Sequence, residues 1–160
     1  MANQATFQHE SVNSGTAVKL YNYEITYGWR NLVKITPAPF AYDITEANYL
    51  GFENPVITIS GSIPIEDIPS PNTGSNAILT QDYLIDFAIA CKTQPITLTI
   101  SAGDTNVVYL KGRPSGGYSV GGSLTNSINI IILDFNVKFS SRETKEGSVW
   151  NYSITCRETI

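Results

Sequence analysis

From Tyr21 to Arg30 the chain alternates without a break. Tyr21, Tyr23, Ile25, Tyr27 and Trp29 fall on one side of an extended backbone, and Asn22, Glu24, Thr26, Gly28 and Arg30 on the other. Period two is the spacing of a strand whose two faces meet different surroundings. The same pattern returns in Ile57, Ile59, Ile63 and Ile65 against Thr58, Ser60 and Ser62, and in Ile96, Leu98 and Ile100 against Thr97, Thr99 and Ser101. It returns again in Ile131, Leu133, Phe135, Val137 and Phe139, and in Trp150, Tyr152, Ile154 and Cys156 against Asn151, Ser153, Thr155 and Arg157. Such a chain buries its apolar residues by packing one face of a sheet. Of 160 residues, 61 are Ile, Val, Thr or aromatic, so strand propensity agrees with the pattern.

Strands are predicted over 18–36, 56–65, 96–101, 107–111, 127–140 and 150–157, the last two forming a closing antiparallel hairpin. Within 127–140, Ile128, Ile130 and Ile132 occupy the second face, so the start of that strand is expected to be buried on both sides. Gly61 interrupts an apolar face and marks a bulge or a close backbone approach. One segment is helical, about 79–92. Leu84, Phe87, Ala88 and Cys91 recur at helical spacing, Thr80 suits the N-cap although Ser75 or Asn76 offers an earlier start, Asp82 and Lys92 complement the helix dipole, and Pro95 follows. No strand–helix–strand rhythm repeats, which disfavours a parallel α/β fold. The expected fold is mainly β: an antiparallel β-sandwich or partly closed barrel with one flanking α-helix. The expected organisation is an N-terminal arm, 1–17, ordered only if something holds it, and one β-rich domain, 18–160.

Several function classes drop out on composition. No window approaches 18 uninterrupted apolar residues, so no transmembrane helix is expected. The N-terminus has neither a basic nor an apolar region of a secretion signal, so the sequon Asn151-Tyr152-Ser153 carries little weight. Net charge is −4, which leaves no general basic footprint for nucleic acid. Cys91 and Cys156 are too far apart in sequence for a metal or redox motif and read as two buried reduced thiols.

Catalytic constellations are equally sparse. The single histidine, His9, lies in the polar arm and reads as exposed. One His with two distant Cys does not make a zinc site. Glu66-Asp67 sits in a turn and Asp82/Asp86 on the wet side of the helix, where nothing raises a carboxylic acid into a general-acid range. Asp104 reads as turn chemistry. Gly116-Gly117 and Gly121-Gly122 belong to no phosphate-binding motif and give 112–126 the flexibility of a Gly/Ser-rich loop. No enzyme activity, metal or cofactor is expected.

Two features point outward. Pro37 and Pro39 stop regular pairing, and 37–55 then reads as a long loop carrying Phe40, Tyr42, Tyr49, Leu50 and Phe52. Either it folds back over its own core or it packs on a partner; Phe40, Tyr42, Tyr49 and Phe52 are the candidate subunit interface. Charge is also uneven. Residues 61–110 hold one basic and five acidic side chains, and 111–160 hold six basic and four acidic ones. Neighbouring copies can use such a split for complementary contact, although a mixed surface is ordinary.

The segment Asn54-Pro-Val-Ile-Thr-Ile-Ser-Gly-Ser-Ile-Pro64 resembles the early strand of tailed-phage tail-tube and related distal-tail proteins. The helix Leu79–Lys92 follows it, then Gln94–Ser101, the Gly-rich Gly112–Gly122 and the long strand Ile128–Ser140. That order of elements, spanning about residues 20–158, is similar to the tail-tube fold, without a diagnostic motif. The resemblance implies a virion structural protein made in the host cytoplasm. It would form homo-oligomeric rings, commonly hexameric, that stack into a tube and join their sheets into a continuous inner barrel. Other tail proteins would be its partners, and DNA would pass through the lumen without being read. A distal-tail or baseplate adaptor fits equally well. The rival class is a β-sandwich carbohydrate-binding module, for which exposed Tyr and Trp would supply stacking. Trp29 and Trp150, placed within alternating strands, are expected in the core or on a sheet face instead.

Overall fold

The computed structural model describes residues 4–37, 45–101, 120, 125–143 and 147–159, with backbone alone for 35–37, 45–52 and 101. Among the described residues the protein is mainly β, with one α-helix. Seven strands form an antiparallel sheet: β1 (Gln4–Gln8), β2 (Val18–Lys19), β3 (Tyr23–Gly28), β6 (Val56–Pro64), β7 (Ile96–Ser101), β8 (Ser127–Ser140) and β9 (Val149–Glu158). Their order across the sheet is β2-β1-β7-β8-β9-β6-β3. Between β3 and β6 in sequence, β4 (Asn31–Pro37) and β5 (Thr45–Phe52) make a two-stranded ribbon. The helix α1 (Gln81–Ala90) packs against β8.

The sheet is not closed, yet it must curl. β2 and β3 are its two edges, and only Leu20, Tyr21 and Asn22 join them. Four residue steps reach at most about 14 Å. The two edges of a seven-stranded sheet therefore lie close together, as in a partly closed barrel.

Curling encloses one face. Phe7, Leu98, Ile130, Ile154, Ile57 and Ile59 on it are wholly buried. Leu84, Phe87 and Ala90 of α1 dock on this core, and Phe87 meets Phe7 edge-to-face with ring centroids 5.6 Å apart. Each buried Leu, Ile or Phe among them contributes about 1.5–3 kcal/mol by leaving water. The helix begins after Thr80, which is extended, and is shorter than the expected 79–92.

Four expectations are corrected. Residues 4–8 are not an arm awaiting a partner: they form β1, paired with β7 from Gln4↔Ser101 to Gln8↔Thr97. Ala5, Phe7 and His9 alternate with Thr6 and Gln8, and all three are buried. The predicted strand 18–36 is three strands. It breaks where Asn22 takes φ 45° and where the chain leaves the sheet at Trp29. The loop expected over 37–55 contains β5, paired with β4 from Asn31↔Phe52 to Pro37↔Thr45.

The fourth correction lies in β8. Ile132 opposes Cys156 and Asp134 opposes Thr155, so Leu133 is an extra residue in a bulge. Parity reverses there. Ile128, Ile130 and Ile132 share the core face with Phe135 and Val137, while Leu133 is 54% exposed. Gly61 marks a close approach, as expected. A Cβ there would lie 2.5 Å from the Tyr152 hydroxyl oxygen and 2.8 Å from the Asn22 carbonyl oxygen.

Candidate interaction surface

A sheet edge is a row of unused peptide groups, and the two edges here differ. On the β2 side, the Lys19 N–H donates to the Ala77 carbonyl at 2.9 Å, and the Leu79 N–H donates to the Lys19 carbonyl at 2.8 Å. Residues 77–79 thus cap that edge. On the other side β3 pairs with β6 alone among the described strands. Its sequence, Tyr-Glu-Ile-Thr-Tyr-Gly, holds none of the proline, lysine or bulge devices that discourage edge pairing.

The ribbon continues from this edge. Gly28 opposes Val56, the Glu53 N–H donates to the Arg30 carbonyl at 2.9 Å, and Asn31 opposes Phe52. β3–β4 and β5–β6 are therefore the two arms of one long hairpin whose outer part leaves the body. Seven residues of β4 extend it by about 23 Å. A lone two-stranded hairpin is marginal in water. At the ribbon's base Trp29 and Val33 are more than two-fifths exposed, and Trp29 stacks on Tyr27 at 5.3 Å between centroids. Trp29 is thus not a core residue, whereas Trp150 is half-buried and packs against Phe139 at 4.6 Å.

Of the candidate interface residues, Tyr49 and Phe52 belong to β5, opposite Val33 and Asn31. Phe40 and Tyr42 lie outside the described residues, as do the strand expected over 107–111, Asp104 and most of 112–126. The hairpin was missed because its two prolines masked a short period-two signal, Thr45, Ala47 and Tyr49 against Glu46 and Asn48.

The convex face of the sheet is a polar wall. Register places Glu24, Ser60, Ser153 and Asn136 in one row and Thr26, Thr58, Thr155 and Asp134 in the next. Ser62, Asn151 and Lys138 make a third. Hydroxyl and amide groups dominate, and its few charges are of both signs.

The titratable groups named from sequence do not converge. His9 is only 4% exposed, not on a free arm; its Nδ1 accepts the Ser11 N–H at 3.0 Å. Cys156 is buried and its Sγ lies 3.5 Å from the Ile57 carbonyl oxygen, to which the thiol donates. Burial pushes the Cys156 thiol up to about 12, and the Cys91 thiol upward too, so both stay protonated at neutral pH. Asp82 and Asp86 are exposed on α1, and Asp67 accepts the Tyr21 hydroxyl at 2.5 Å. Among the described residues no group of three His, Cys, Asp or Glu side chains that could hold a metal ion comes together. No described helix is long and apolar enough to cross a membrane. No protein-family model matches the chain, and no curated protein sequence is similar enough to count as a relative.

Proposed function

We propose that this chain is a virion structural protein that self-assembles into stacked rings, forming a tail tube through which DNA passes. The observation that carries this reading is the hairpin leaving the body at β3, a sheet edge that nothing pairs with on its outer side among the described residues. A ribbon of about 23 Å with no third strand among the described residues gains its stability by packing on something. An open edge of β-favouring residues next to it invites pairing with another chain. Both features suit a protein whose partner is a further copy of itself. Phe40, Tyr42, Tyr49 and Phe52 are the residues proposed to contact the neighbouring subunit. The Ser/Thr/Asn wall, with few charges, suits a surface past which a polyanion moves without sticking. The tail-tube resemblance rests on the order of elements read from the sequence, and an adaptor at the tail's distal end would use the same surfaces.

Electron microscopy of the purified protein across concentration and salt tests the proposal. Rings or tubes of uniform diameter are expected, and Phe40→Ser with Tyr42→Ser should leave a folded monomer that does not polymerise. A monomer at every concentration would overturn self-assembly.

One observation favours a second reading. Trp29 stacked on Tyr27 offers an exposed aromatic surface of the kind that binds a sugar ring. Saturable glycan binding by the monomer, lost in Trp29→Ala, would support a carbohydrate-binding module instead.

A further inference from the structure

The outward side of α1 is not uniformly polar. Asp82, Ile85, Asp86 and Ile89 follow at i, i+3, i+4 and i+7, one stripe of a helix, and all four are exposed. Ile85 is 40% and Ile89 57% exposed. The stripe is acidic and apolar together. The base of the ribbon carries the opposite combination. Leu32 and Lys34 share one face of β4, Arg30 stands just before that strand, and all three are exposed. Among the described residues, Arg30 and Lys34 form no ion pair, and neither do Asp82 and Asp86. Within one chain α1 lies on β8, while the ribbon leaves the body at β3 and β6.

We infer that the ribbon of one copy lies across α1 of the next, with Leu32 against Ile85 and Ile89 and with Arg30 and Lys34 at Asp82 and Asp86. This rests on the self-assembly reading above and names both halves of one of its contacts. Arg30 to Lys34 spans at most about 13 Å of extended chain, and Asp82 to Asp86 about 6 Å along a helix. Long basic side chains close the difference while their stems cover the isoleucines. The two patches differ, so the contact is heterologous. A heterologous contact closes into a ring when its rotation allows and otherwise runs on as a filament.

Charge reversal of the full chain tests it. The proteins are wild type, R30E/K34E, D82K/D86K and an equal mixture of the two variants, followed by sedimentation velocity and negative-stain microscopy. Far-UV circular dichroism reports folding. Wild type assembles, and each variant alone needs at least about tenfold more protein to do so, because like charges then face each other. The mixture assembles again, since every contact between unlike copies is complementary. The half-assembly concentration of wild type rises as salt goes from about 0.05 M to about 0.5 M, a reading that depends on no variant. Should wild type assemble while a variant does so equally well, or the folded variants fail to rescue each other, or salt have no effect, the ribbon–helix contact is wrong and self-assembly stands. A wild-type monomer throughout would overturn both.

Discussion

Gly61→Ala is expected to strike the point on which the curl of the sheet depends. Gly61 lies between Tyr23 on β3 and Tyr152 on β9. The Tyr152 side chain crosses the space that a larger residue at 61 would fill, and its hydroxyl donates to the Tyr21 carbonyl at 3.1 Å. That bond ties the β2–β3 connection to the inside of the sheet. The added methyl would meet the Tyr152 hydroxyl oxygen at 2.5 Å and the Asn22 carbonyl oxygen at 2.8 Å. The tyrosine ring can tilt only by giving up its bond, and the carbonyl belongs to backbone fixed by Asn22 at φ 45°.

Overpacking of this kind costs about 1–3 kcal/mol. Loss of the hydroxyl's partner adds about 1 kcal/mol. The sum, about 2–4 kcal/mol, lowers the midpoint of thermal unfolding by roughly 4–16 °C in a chain of this size. The assay is urea and thermal unfolding of the unassembled protein, with Tyr152→Phe and the double variant alongside. Tyr152→Phe loses the bond alone, at about 1 kcal/mol. The double variant should be less destabilised than the two single losses added, because they share that bond. A Gly61→Ala loss below about 1 kcal/mol, or strict additivity, would refute the steric reasoning.

Three further outcomes follow from the same packing. Phe87→Ala removes the helix residue set against Phe7 and should cost about 3–5 kcal/mol in urea unfolding. Asn72→Ala removes a side chain that both accepts from the Ile78 N–H and donates to the Ile78 carbonyl at 2.8 Å. About 1–3 kcal/mol should be lost, and because this releases the segment capping β2, light scattering should show earlier aggregation. Cys156 is held protonated on folding, up to about 12 against an ordinary 9.0. Its contribution is complete below pH 9 and is lost as pH rises through 12, at no more than about 1.4 kcal/mol per pH unit. Urea midpoints in that window should fall with pH, and less steeply in Cys156→Ala.

The strands that alternation marks most clearly, β6, β7, β8 and β9, stand where the sequence places them, and so does the helix. What alternation misses is set by partners distant in sequence. β1 looks like a polar arm because only Ala5, Phe7 and His9 face inward. Their burial depends on β7, some ninety residues on. The β8 bulge is decided by the strand opposite: Ile132 and Asp134 oppose consecutive residues of β9, and everything after Leu133 changes face. A strict period-two reading therefore puts Leu133 with Phe135, the reverse of the observed arrangement. The ribbon escaped for a different reason. Proline ordinarily ends a strand, but Pro37 lies at the outer end of β4, where a two-stranded ribbon leaves one edge free of pairing demands.

The two edges bear on what kind of assembly the chain can make. A ring that joined β3 of one copy to β2 of the next would have to displace residues 77–79, which already bond to Lys19. The ribbon supplies an alternative, because β4 and β5 pair only with each other among the described strands. Copies can then join through the β3–β4 side of one hairpin and the β5 side of the next, while side chains on the ribbon's faces remain available to α1. Edge pairing by itself does not guarantee closure, since strands also stack indefinitely in fibrils. A side-chain contact fixed on a second element, as proposed for Arg30, Leu32 and Lys34 on the α1 stripe, supplies the angle that closes a ring. On this argument, weakening the ribbon–helix contact while leaving β3 intact should change the product as well as its amount. At protein concentrations high enough to force association, R30E/K34E should yield irregular chains under the electron microscope. Rings of native diameter from that variant would show that closure is set elsewhere.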